Sequence, residues 1–126
     1  MAALTINHTT RSYPDLPYHE IAEAIMPRRY EISLVFVGTT RARALNQIYR
    51  SRDYIPDVLS FPLTETAGEL YICLQKAQRD APTYAHSPDA HVAFLFIHGL
   101  LHLKGYEHGA TMERAERRYL ARFIMA

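Results

Sequence analysis

Three of the seven histidines fall within eleven consecutive residues, at spacings that suit a metal site. His98 and His102 are four residues apart, so on a helix both imidazoles project from one face, a turn apart. Gly105 permits a sharp turn after them, and His108 can then fold back as a third ligand. Three histidines leave the fourth position of a tetrahedral zinc ion open to water. The spacing therefore predicts one catalytic zinc ion per chain, bound through His98, His102 and His108.

A metal-free interpretation competes with this one, because a lone histidine in an apolar helix is usually a hydrogen-bonded core residue. Here, however, two rings share one apolar helix, and leaving each unpaired would cost on the order of 1–3 kcal/mol. A bound metal removes that cost, and the positions of Gly105 and His108 favour it further. His91, seven residues before His98, is interpreted as a core or supporting residue rather than a fourth ligand.

The same spacing occurs in the metzincin zinc proteases, whose motif is H-E-x-x-H-x-x-G-x-x-H. Gly99 stands where those proteases have the glutamate that acts as general base. Peptide hydrolysis by that mechanism is therefore not expected. The pattern indicates the same metal geometry with a different substrate.

One long helix must carry the first two histidines. Ser87 suits its N-cap and Pro88 its first helical position, and the helix should run to Leu103. Its middle, Val92 to Ile97, is apolar on every side, which is typical of a buried helix. Gly105 suits the left-handed residue that ends it.

Hydrophobic alternation and turn residues predict the remaining elements. Strands are expected at Leu4–His8, Tyr30–Val37, Val58–Pro62 and Glu69–Leu74, with the third at a sheet edge because of Pro62. Helices are expected at Tyr18–Met26, from Thr39 or Thr40 as cap to about Tyr49, at Gln75–Asp80, and after Thr111 as cap; Ala81–His86 should be a loop. This irregular order predicts an α+β fold, with a small mixed sheet packed with helices around the central metal-bearing helix.

The stripes on two of these helices are also predicted. Ala42, Leu45 and Tyr49 should form the buried stripe of the second helix, with Arg43, Asn46 and Arg50 on another face. On the last helix the stripe is Met112, Ala115, Tyr119 and Phe123.

Composition indicates one ordinary globular domain over residues 1–126, with 48% apolar and 21% charged residues. The longest apolar run is far shorter than the ~20 residues that a membrane span needs. One cysteine, Cys73, excludes an internal disulfide, and no secretory signal is evident. These features predict a soluble, cytoplasmic protein without a membrane partner. A net charge of +1 means that nucleic-acid binding would need a local basic patch.

Several segments carry a resemblance to a known family. The string His98-Gly-Leu-Leu-His-Leu-Lys-Gly-Tyr-Glu-His108 resembles the HGxLHLxGYDH motif of the bacterial YbeY-type endoribonucleases, or rRNA maturation factors. Leu45–Arg50 and Asp57–Pro62 are similar to the LNxxYR and DVLSFP segments of that family, in the same order. Gly68–Cys73 is similar to its GDIxI strand, and Met112 with Glu116 to a further pair. The resemblance covers roughly residues 35–120, with Glu107 and Glu69 in place of the family's aspartates and Pro56 in place of a frequent threonine.

The resemblance implies a zinc-dependent endoribonuclease that cleaves single-stranded RNA, matures the 3′ end of 16S ribosomal RNA and takes part in ribosome quality control. The implied partners are ribosomal RNA and the small ribosomal subunit, with no role for DNA. Arg50, in the YR segment, is predicted to contact a phosphate or stabilise the transition state, although a solvated arginine at a helix end is the alternative.

Three further residues are predicted to contribute to RNA binding. Arg43 would extend a basic patch, and Ser60 and Phe61 would line the cleft, where an aromatic ring can stack a base. Plain core packing is the alternative for Phe61.

Two other functions stay open from the sequence. One is a non-catalytic ribosome-assembly protein with a structural metal, and the other is a zinc hydrolase of another substrate class. The open fourth metal position favours catalysis over a structural site.

Overall fold

The computed structural model describes residues 2–124. The strands are β1 (Ala3–His8), β2 (Glu31–Val37), β3 (Val58–Thr64) and β4 (Ala67–Cys73). The helices are α1 (Tyr18–Ile25), α2 (Thr39–Arg50), α3 (Leu74–Asp80), α4 (Pro88–Leu103) and α5 (Ala110–Phe123). Among these residues no helix is both long and apolar enough to cross a membrane.

The four strands form one sheet in the order β1-β2-β4-β3. β1 and β4 both run parallel to β2, whereas β3 pairs with β4 as an antiparallel hairpin and lies at the edge. The α+β fold with a small mixed sheet is therefore confirmed, as is the edge position of the strand that contains Pro62. That the whole chain is a single domain stays a prediction.

Helix α4 lies at the centre of the core, as its all-round apolar sequence predicts. Leu95, Phe96 and Ile97 are almost completely buried, and α4 contacts α1, α3, α5, β3 and β4. The Ser87 hydroxyl accepts a hydrogen bond from the Ala90 amide at 3.1 Å, which confirms the predicted N-cap. The helix that carries His98 and His102 is thus held within the core of the molecule.

Gly99 explains how closely α4 approaches the sheet. A Cβ at this position would lie 2.7 Å from Leu70 Cδ2, and Leu70 is fully buried in β4. Only a residue without a side chain lets helix and strand pack at this separation. A glutamate at position 99 would meet the same obstacle.

Helix α2 covers the opposite face of the sheet through Ala42 and Leu45. The prediction that Tyr49 completes this buried stripe is wrong, because Tyr49 is 67% exposed and Asn46 is fully buried instead. The Asn46 side-chain amide donates to the Tyr54 backbone carbonyl at 3.1 Å, and the Asn46 backbone carbonyl accepts from the Arg52 backbone N–H. The polar side chain of Asn46 is buried because its hydrogen bond to Tyr54 holds the loop after α2 against the helix.

Three local predictions are also wrong. Neither Thr39 nor Thr40 caps α2, because Gly38 takes the extended N-cap position and both threonines are already helical. Thr111 does not cap α5, since the N-cap is Gly109 with φ of 152°, a conformation that favours glycine. The predicted loop at Ala81–His86 begins as a 3-10 helix over Ala81–Tyr84.

Candidate metal centre

The three histidines predicted as ligands converge in space. One ring nitrogen from each of His98, His102 and His108 lies within 4.8 Å of the other two. His98 and His102 are one turn apart on α4, with ring centroids separated by 4.6 Å. His108 comes from the loop before α5, and its ring lies 5.3 Å from that of His98. Within residues 2–124 this is the one group of histidine, cysteine or acidic residues close enough to hold a metal ion.

The turn after α4 returns the chain toward the helix. The Tyr106 amide donates to the Leu101 carbonyl and the Gly105 amide to the His102 carbonyl, a Schellman motif. Gly105 has φ of 105°, which a residue with a side chain would adopt only under strain. Tyr106 packs against the core. The turn thus places His108 beside the two helical histidines.

His102 has a defined tautomer. Its Nδ1 lies 3.1 Å from the Tyr106 carbonyl, which can only accept, so Nδ1 carries the hydrogen and donates it. Nε2 of the neutral ring then has a free lone pair. Burial, together with the neighbouring His98, lowers the pKa of His102 and so favours the neutral form. The ring is therefore prepared to bind a cation through Nε2.

Nδ1 of His98 contacts a carboxylate. This nitrogen lies 2.5 Å from Glu116 Oε2, and Glu116 is a buried residue of α5. A carboxylate that accepts from the far nitrogen of a metal-binding histidine orients the ring and raises its basicity. The sequence did not identify Glu116 as part of the site. Its signals were a charged residue directly after Ala115 of the apolar stripe of α5, and its place with Met112 in a pair similar to one of the family.

The histidines form part of the wall of a cleft of about 630 Å³. Arg50 and Ser60 line it, as does Gly99, whose carbonyl accepts a 3.2 Å hydrogen bond from the Ser60 hydroxyl. Lys76 contributes a second cation, although its ammonium group lies 2.8 Å from Asp80 Oδ2. The remaining lining residues are Tyr54, Ile55, Pro56, Asp57, Val58 and Pro62. The candidate metal ligands and a basic side chain from α2 therefore line the same cleft.

Comparison with known proteins identifies the family. The family profile described as Endoribonuclease YbeY matches residues 7–126, which is nearly the whole chain. The chain belongs to the YbeY family. Curated YbeY endoribonucleases include those of Spiroplasma citri, 36% identical over 75% of this chain and 68% of the relative, and Alkaliphilus oremlandii, 39% identical over 71% and 66%. That of Ureaplasma parvum is 46% identical over 58% of this chain and 51% of its own length.

The matches leave part of each YbeY relative uncovered. The chain spans about two thirds or less of the length of most of them. A solved structure, TM1509 from Thermotoga maritima, has a TM-score of 0.66 over 96% of this chain and 87% of that one. At 23% sequence identity this likeness supports the fold.

Two residues predicted to bind RNA lie away from the metal cleft. The Arg43 guanidinium pairs with the Asp53 carboxylate at 2.8 Å, and both side chains are exposed. The ring of Phe61 packs 5.6 Å from that of Tyr49 and 5.9 Å from that of Tyr71. Phe61 points to the face of β3 opposite Ser60, because side chains alternate along a strand. A role of either residue in RNA binding stays a prediction.

His91 is a core residue, in keeping with its interpretation from the sequence. It is fully buried, and its Nδ1 lies 3.0 Å from Nδ1 of His86. Burial lowers the pKa of His91, and the nearby His86 lowers it further. It takes no part in the group of three candidate ligands.

Proposed function

We propose that this chain is a zinc-dependent endoribonuclease that cleaves single-stranded RNA. Its role would be rRNA processing, namely maturation of the 16S 3′ end and ribosome quality control on the small subunit. The observation that carries the proposal is the convergence of three histidine nitrogens on a cleft that Arg50 also lines. Membership of a family described as endoribonucleases supplies the substrate class.

The donor set supports zinc as the metal. Three imidazole nitrogens with an open fourth position match catalytic zinc sites, and both Nδ1 contacts favour coordination through Nε2. When bound, zinc would supply Lewis acidity, either lowering the pKa of a water molecule or polarising a phosphate oxygen. Glu116 and the Tyr106 carbonyl would hold the His98 and His102 rings in position.

Arg50 is proposed to bind the phosphodiester. No described carboxylate pairs with its guanidinium, so its donors are free for a ligand in the cleft. A guanidinium offers two parallel hydrogen bonds to nonbridging phosphate oxygens, where negative charge develops during the reaction. Arg50 would therefore orient the phosphate and stabilise that charge.

A peptidase with the same metal spacing is disfavoured on packing grounds. The protease mechanism needs a glutamate at position 99, where even a Cβ would press on Leu70. We therefore expect no hydrolysis of casein by preparations that cleave RNA.

The proposal is tested by incubating a labelled single-stranded RNA with the full chain. Cleavage is expected with zinc, should stop on chelation, and should return when zinc is added back. His102→Ala should stay inactive under all three conditions, and a duplex of the same sequence should be spared. An RNA left intact by the zinc-loaded chain would refute the proposal. If a chain that leaves RNA intact also melts at a lower temperature after chelation, the metal would have a structural role instead.

Replacement of Arg50 tests its role separately. Arg50→Ala should lower kcat by about 10²–10³-fold, the effect typical of losing one donor to a developing oxyanion. Arg50→Lys keeps the charge but not the paired donors, so an intermediate rate is expected. Arg41→Ala, an exposed arginine on the same helix outside the cleft lining, serves as the matched control. Equal rates for Arg50→Ala and Arg41→Ala would remove Arg50 from the mechanism.

A further inference from the structure

A second cleft, of about 580 Å³, adjoins the metal centre. It shares Asp57, Val58, His98 and His108 with the first cleft, so the two spaces meet at the candidate metal ligands. Their other walls differ in chemistry. The first carries Arg50 and Lys76, whereas the second has more apolar residues in its wall, with Tyr84, His86 and Phe94 along one side.

The three rings along this side form a partly exposed stacking surface. Tyr84 lies nearly parallel to His86 at 5.8 Å between ring centroids, and 5.5 Å from Phe94. Tyr84 is 50% exposed, and Phe94 is one of the few residues in the middle of α4 that is not buried. One exposed ring and two half-buried rings beside the candidate site suit a ligand with a flat apolar face.

The position of Phe94 on α4 places the stacking surface next to the candidate metal centre. Phe94 lies four residues before His98 on α4, so both side chains share one helix face, and their ring centroids are 6.1 Å apart. A ligand stacked there would have its next chemical group at the histidines. The charged residues also differ, since two cations, Arg50 and Lys76, line the first cleft, whereas the second has one, Arg117, beside the carboxylates of Glu113 and Glu116.

We propose that the second cleft binds the nucleobase next to the scissile phosphate, with Tyr84 and Phe94 as its stacking partners. Single-stranded RNA offers both required groups, an anionic backbone and unstacked bases, one nucleotide apart. Arg117 and Glu113 line the same cleft and provide polar groups for a base edge. This inference rests on the proposed function, because it assumes that RNA is the substrate.

Binding is tested by fluorescence, without relying on cleavage. A series of single-stranded RNAs carries 2-aminopurine at successive positions, and each is mixed with the chelator-treated chain. Stacking quenches this fluorophore, so one position should be quenched strongly. Tyr84→Ala should weaken that quenching, while Tyr84→Phe, which keeps the ring, should match the wild type. Circular dichroism of both variants checks that this exposed residue has not altered the fold.

Cleavage supplies the second readout. Tyr84→Ala should raise KM by about five- to tenfold on intact RNA, the size of a partly exposed base stack. On an RNA that lacks the base next to the cleavage site, wild type and Tyr84→Ala should have the same KM. A base removed several nucleotides away should leave the fivefold to tenfold difference in place.

The outcomes separate this inference from the proposed function. RNA cleavage with no effect of Tyr84→Ala on quenching or KM overturns the base site and leaves the nuclease standing. Quenching that depends on Tyr84 in a chain that cuts no RNA supports the base site and overturns the nuclease. If Tyr84→Ala raised KM equally on RNA with and without the base next to the cleavage site, Tyr84 would act only on the structure of the protein. That result would also overturn the inference.

Discussion

At the scale of single residues, the site depends on the groups that contact Nδ1 of His98 and Nδ1 of His102. The Tyr106 carbonyl and the Glu116 carboxylate occupy Nδ1 of His102 and His98, which leaves Nε2 of each ring for a metal. The ligands themselves could be predicted from their spacing. Their supporting partners could not, because Glu116 is eighteen residues from His98 and only the packing of α5 on α4 brings them together.

Glu116→Gln tests the carboxylate behind His98. The amide keeps the shape but loses the negative charge, so metal affinity should fall by about 10–100-fold. Competition with a chromophoric chelator measures the affinity directly. Glu23→Gln, which changes an exposed residue of α1 that lines neither cleft, is the matched control. Identical affinities of the two variants would show that Glu116 does not support the site.

The buried histidines should make the metal-free protein sensitive to acid. Burial lowers the pKa values of His91 and His102 below the ordinary 6.5. At acidic pH these two side chains therefore bind protons more readily in the unfolded chain than in the folded protein. Stability is therefore fully present above about pH 6.5 and is lost as the pH falls toward the lowered values. Urea unfolding of chelated protein between pH 8 and 5 should show this decline.

Replacement of His91 isolates its share of the pH dependence. His91→Gln should have a shallower decline over the same range, whatever its absolute stability, because one titrating group is gone. A wild-type free energy of unfolding that stays constant or rises between pH 7 and 5 would contradict this assignment.

At the scale of elements, the placement of α4 decides the geometry. Its buried character, Ser87 cap and end at Gly105 could all be predicted from the sequence. From the sequence, Gly99 indicated that the general-base glutamate of the zinc proteases is missing, but not why a glycine is needed here. Its contact with Leu70 of β4 depends on tertiary packing, which no local pattern reports.

Gly99→Ala should destabilise the fold by about 1–3 kcal/mol, because the added methyl group overpacks the interface between α4 and β4. Chemical denaturation gives the free energy of unfolding. Gly38→Ser adds a side chain where nothing lies within 4 Å and provides a preferred N-cap for α2, so its stability should be unchanged or slightly higher. If the two variants were equally stable, the close approach at Gly99 would not matter.

The errors in α2 have a similar origin. The apolar pattern favoured Tyr49 as a buried residue, but Asn46 takes the buried place because the following loop supplies a hydrogen-bond acceptor. The two cap predictions failed because glycines precede the helices and fill the cap positions. A hydrogen-bond partner in the following loop therefore explains the burial of Asn46, and the glycines directly before the two helices explain the cap errors.

At the scale of the whole molecule, the candidate centre joins separate parts of the chain. The ligands come from α4 and the loop after it, their support from α5, and the cleft wall from α2 and β3. The fold class could be predicted from the order of elements, since the hairpin β3–β4 makes the sheet mixed. The order β1-β2-β4-β3 required the structure, because strand neighbours in space are not fixed by neighbours in sequence.

Metal content tests the central claim most directly. Elemental analysis of the purified chain after equilibration with zinc and removal of excess should give one equivalent per wild-type chain. His102→Ala should retain far less, and His19→Ala, which replaces an exposed histidine of α1, should match the wild type. Equal zinc content in wild type and His102→Ala, whether near zero or near one, would contradict a metal centre formed by His98, His102 and His108.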